Sequence, residues 1–97
     1  MAIFMHATLT GVTTDQYDAL NRELQSMSGD LFAGCLSHAC VATGSGLEIY
    51  DIWESEEAMN TFTERMMPVA EKQGMIPGPG GGPEIRAVHN YWTPGMA

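Results

Sequence analysis

The sequence predicts an α+β fold built in the order β-α-β-β-α-β. Three observations predict it. Four stretches, at 3–9, 34–43, 47–54 and 84–92, have strand length and strand-like apolar content. Two stretches lying between strands carry apolar residues at helical spacing behind a capping residue. The "GSG" at 44–46 is a turn that joins the two middle strands as a hairpin.

The first strand, "IFMHATL" (3–9), splits by parity. Ile3, Met5, Ala7 and Leu9 form an apolar face, and Phe4, His6 and Thr8 form a mixed one, as expected of a strand with one dry side. In "GVTTDQYDALNRELQSMSG", Thr13 and Gln16 have capping-box spacing, and Val12 and Tyr17 occupy the staple positions. Tyr17, Leu20, Leu24 and Met27 then share one helix face, and Gly29 is a stop signal. "GCLSHACVAT" and the stretch 47–54 are the hairpin strands. Ser55 caps a second helix, with Glu56 and Glu57 in the first turn, where the helix dipole favours them. Its stripe is Met59, Phe62, Met66, Val69 and Ala70, and Pro68 predicts a kink. "GMIPGPGGGP" (74–83) has the composition of a loop or lid, and "EIRAVHNYW" (84–92) is the last strand.

This order is that of the ferredoxin-like split βαβ motif. Both helices would cover one face of a four-stranded antiparallel sheet. The open face, with Phe4 and Trp53, would be an exposed apolar patch, and sheet-on-sheet dimerisation is the simplest way to cover it.

The 97 residues predict one domain, 1–97, which buries about 60–65% of its unfolded surface on folding. A net charge of −8, with Arg22, Arg65, Lys72 and Arg86 as the fixed cations, argues against nucleic acid or an anionic membrane as partner. It suits a cytoplasmic protein with a neutral or apolar ligand. "MAIFMHATL" lacks the basic region and apolar run of a signal peptide, and no stretch approaches the length of a membrane span. Cys35 and Cys40, taken as part of one regular strand, would lie roughly 16 Å apart on opposite faces, which excludes a disulfide between them.

At "YDIWESEEAMNTF" the chain resembles the strand-to-helix junction of the dimeric α+β barrel superfamily, in particular its small antibiotic-biosynthesis-monooxygenase-like members. The element order, the short helix at "GVTTDQYDALN" and the final "IRAVHNYW" extend the resemblance over most of the chain. It implies a dimer with sheets face to face, and a pocket either between each sheet and its own helices or inside the barrel. It also implies that Trp53 lines the substrate cavity and that a polar residue near His6 joins it, holding an oxidisable phenol or a haem edge. The haem-degrading relatives carry an iron-ligand histidine on the second helix; residues 55–73 here contain none.

The catalytic candidates are His6, His38 and Asp51. His6 is expected on the open face, either as a proton-transfer group or as a hydrogen-bonded interface residue. Parity leaves the direction of His38 undecided. Asp51 and Trp53 share a face with Ile49; if Ile52 faces the helices, both point into the cavity, where Asp51 orients His6 or holds a substrate hydroxyl. The expected substrate-binding residues are Phe4, Trp53, Arg86, His89 and Asn90, with His89 directed away from the pocket and Arg86 and Asn90 toward the barrel. Surface pairing is the competing role for Arg86. The histidine spacing gives no metal site, the cysteines have no adjacent activating group, and "GPGGG" lacks the lysine and context of a phosphate loop.

The resulting expectation is a small homodimeric enzyme that acts on an aromatic or polyketide-like molecule with no bound cofactor. The reaction would be oxygenation, or acid–base cyclisation or isomerisation. The alternative is a non-catalytic binder or accessory protein using the same cavity.

Overall fold

The computed structural model describes residues 1–27, 29–75 and 83–94. Six elements follow in the expected order: β1 (Ile3–Thr10), α1 (Thr14–Ser26), β2 (Cys35–Thr43), β3 (Gly46–Trp53), α2 (Glu56–Lys72) and β4 (Glu84–Ala87). The four strands form one open antiparallel sheet in the order β2-β3-β1-β4, compatible with a ferredoxin-like fold. Among the described residues, no helix is long and apolar enough to cross a membrane.

Local chemistry accounts for both helices. Thr13 accepts from the Gln16 amide, and the Gln16 side chain reaches back to the Thr13 amide at 2.9 Å, which completes the capping box. Ser55 accepts from the Ala58 amide at 3.1 Å and opens α2. That helix runs through Pro68 to Lys72 and closes in a Schellman motif. There the Met75 amide donates to the Ala70 carbonyl at 2.9 Å, the Gly74 amide donates to Glu71, and Gly74 adopts φ +77°.

The core forms two clusters on the helix side of the sheet. The larger joins Leu20 and Leu24 of α1, Val69 and Ala70 of α2, Leu47 of β3 and Met75. The smaller is Ile3, Trp53 and Met59. Phe62 packs against both.

Cross-strand register decides which side chains face the helices. On β1 the expected dry face holds, and Ile3, Met5 and Leu9 pair with Trp53, Asp51 and Leu47. Buried residues therefore alternate along β3 as Leu47, Ile49, Asp51 and Trp53. The expectation that Ile52 faces the helices is overturned: Ile52 lies opposite Phe4, on the other side of the sheet. Asp51 and Trp53 point at the chain's own helices.

On β2 the tight hairpin pairs Thr43 with Gly46 and so sets His38 opposite Asp51. A bulge at Leu36 then places Cys35 opposite Trp53. Cys35 and Cys40 thus share the helix-side face, rather than lying on opposite faces as a regular strand requires; both are free thiols. The last strand is shorter than expected: β4 ends at Ala87, and His89 and Asn90 lie beyond it, exposed. The expected loop or lid lies mostly at 76–82, outside the described residues.

Candidate functional site

Between the sheet and the two helices lies a cavity of about 180 Å3. Its walls are almost wholly apolar, with Leu20, Phe62, Met66, Met67, Trp53 and Cys35 among them. Its most exposed wall residues are His38, with a side chain 41% exposed, and Phe32 at 37%, so it meets solvent beside the β2 edge.

Apart from Asn21 and Cys35, the polar side chains that line the cavity form one chain of hydrogen bonds. Trp53 Nε1–H donates to Asp51 Oδ2 at 3.2 Å. Asp51 Oδ1 lies 2.6 Å from His38 Nδ1, and His38 Nε2 lies 2.5 Å from the Tyr17 hydroxyl. The Tyr17 and His38 rings are stacked, with an interplanar angle of 5°. Asp51 is 4% exposed, so its charge needs both donors.

The electrostatics follow from this arrangement. The hydrogen bond that His38 donates to Asp51 raises the pKa of His38 above the usual histidine value, against the opposing effect of burial. Burial raises Tyr17, helped by Cys40, Asp51 and Asp18. Burial also raises Cys35, with Asp51 adding to it, so Cys35 is a poor nucleophile.

Of the sequence-derived candidates, His38, Asp51 and Trp53 are brought together at this cavity. Phe4 and His6 are not. His6 is on the open face, as expected, where Nε2 lies 2.8 Å from Glu48 Oε1 and the ring stacks on Tyr50. Asp51 orients His38 and not His6. Arg86 pairs with Glu84 at 3.1 Å, in register with Phe4 on that same open face. Among the described residues, no cluster of three or more His, Cys, Asp or Glu is placed to hold a metal ion.

Tyr17 was not among the expected site residues, because its staple position explained it fully. The "GSG" turn held the missing signal: pairing outward from it brings His38 against Asp51, and Tyr17, in the first turn of α1, stacks its ring on His38.

Fold and site together define a small α+β protein with a polar relay set into an apolar cavity. In comparison with known proteins, the chain matches no family model, no curated protein and no solved structure.

Proposed function

We propose that this chain is a homodimeric enzyme of the dimeric α+β barrel type. It takes a one- or two-ring apolar or aromatic molecule into the helix–sheet cavity and moves a proton through the His38–Asp51 pair. The observation that carries this reading is the Asp51-oriented histidine set in an otherwise apolar cavity of about 180 Å3. An apolar cavity of about 150 Å3 in another protein accommodates benzene. A carboxylate that sets the tautomer and raises the basicity of an imidazole is a recurrent acid–base device.

Proton transfer is the step common to the reactions considered. It initiates acid–base cyclisation or isomerisation. It also generates the electron-rich phenolate that reacts directly with oxygen in cofactor-independent oxygenation. Dimerisation is supported by the open sheet face, where Phe4, Tyr50 and Ile52 remain only half-buried.

A second reading, a non-catalytic binder, is favoured by one observation: both ring nitrogens of His38 are already engaged. The two readings separate by experiment. One- and two-ring phenols and ketones are titrated against Trp53 fluorescence in a Trp92→Phe background, and products are sought by mass spectrometry. The enzyme reading expects binding and turnover, with turnover reduced about 10²-fold or more in Asp51→Asn. Binding without product would favour the binder, and no binding at all would sink both.

A further inference from the structure

We propose that Tyr17, not His38, is the group that meets the ligand, and that the ligand presents to it an acceptor oxygen such as a ring carbonyl. This rests on the reading that the helix–sheet cavity holds a small apolar molecule. The argument starts from the geometry of His38. Nδ1 is taken by Asp51 and Nε2 by Tyr17, so neither ring nitrogen is left for a ligand. Among the described residues, the Tyr17 hydroxyl has a single hydrogen-bond partner, His38, and Tyr17 lines the cavity. The chain Trp53–Asp51–His38–Tyr17 therefore ends at the phenol.

Proton count then sets the polarity of that end. In the imidazolium form both nitrogens of His38 carry hydrogen, one donated to Asp51 and the other to the Tyr17 oxygen. The Tyr17 O–H is then free to donate into the cavity. When His38 is neutral with its hydrogen on Nδ1, Nε2 accepts from Tyr17, and the phenol offers a lone pair instead. The titratable groups acting on this end are Asp51 from β3, Asp18 from α1 and Cys40 from β2. Burial keeps Tyr17 protonated across the range in which His38 titrates. The relay thus turns the protonation of a histidine at the rim into a donor–acceptor choice inside the cavity.

The test uses calorimetric titration of the full chain with two probes of nearly equal shape, 1-tetralone and its parent hydrocarbon tetralin. At about pH 6 the wild type should bind the ketone roughly three- to tenfold more tightly, the value of one hydrogen bond. Tyr17→Phe should abolish that preference, with tetralin still bound. Raising the pH to about 9 should reduce the preference in the wild type and not in Tyr17→Phe. A ketone preference that survives in Tyr17→Phe, or one that does not change with pH, would overturn the assignment while leaving the cavity reading intact. A tetralin affinity lost along with the ketone's in Tyr17→Phe would also overturn it, since Tyr17 would then be a packing residue. If the wild type binds neither probe, the cavity reading fails and this inference fails with it.

Discussion

Asp51 holds the relay together at the scale of single residues. It is a buried carboxylate with an indole N–H on one oxygen and an imidazole N–H on the other. Asp51→Asn removes the charge that favours the imidazolium, so the pKa of His38 should fall toward the ordinary histidine value, measurable by NMR titration. The same change should lower stability by about 1–3 kcal/mol in urea unfolding, because an amide cannot accept both hydrogens equally well. The pH dependence has a definite sign. The folded-state pKa of His38 is raised, so its contribution is complete below the unfolded histidine value and is lost as pH rises through the folded one. Wild type should therefore exceed His38→Gln in stability most clearly in mildly acidic solution. That margin should shrink above neutral pH; a margin growing with pH would contradict the arrangement.

At the scale of elements, the approach to β2 is set by Gly34. This residue has φ +88°, and its carbonyl accepts from the Glu54 amide at 2.8 Å, tying the start of β2 to the end of β3. A methyl group at Gly34 would lie 2.7 Å from Ala58 Cβ in the first turn of α2, where there is no flexible end to move aside. Gly34→Ala should therefore cost about 1–3 kcal/mol and shift the β2 edge, with His38 on it. Thermal unfolding and the His38 chemical shift would report the two effects separately. Helix caps were legible from sequence because they depend on side chains three residues apart. The bulge at Leu36 was not legible, since it is a choice between burying Cys35 or Leu36 opposite Trp53, and that depends on the space beneath α2.

For the whole molecule, the central fact is a core split into two clusters with a cavity between them. Ala7 of β1 lines that cavity, and valine is the better strand residue. Ala7→Val should raise ligand-free stability by about 1 kcal/mol through added apolar burial. It should at the same time weaken binding of the tetralin probe. Gain of both stability and affinity would show that the space is not the binding site. The opposite sheet face is independent of the cavity, and Phe4→Glu there should convert a dimer to a monomer by sedimentation without changing probe affinity. An unchanged sedimentation coefficient would remove the dimer from the proposal.

The sequence by itself determined the six elements, their order, the caps of both helices, the dry face of β1 and the pairing of Asp51 with Trp53 on one face of β3. All of these follow from periodicity and from contacts a few residues apart. It also held, unused, a signal for which face that was: Leu47, Ile49 and Trp53 share one parity, against Glu48, Tyr50 and Ile52. Only the tertiary structure decided that this face meets the chain's own helices, that His6 and Asp51 lie on opposite sides of the sheet, and that Tyr17 reaches His38. The physical reason is register. Parity groups side chains within a strand, but the direction of each group is set by hydrogen-bond pairing with neighbouring strands and by where the helices find an apolar surface to cover. "LEIYDIW" carries apolar residues on both faces, and the packing of Trp53 against Phe62, with ring centroids 5.2 Å apart, belongs to the one that became the core.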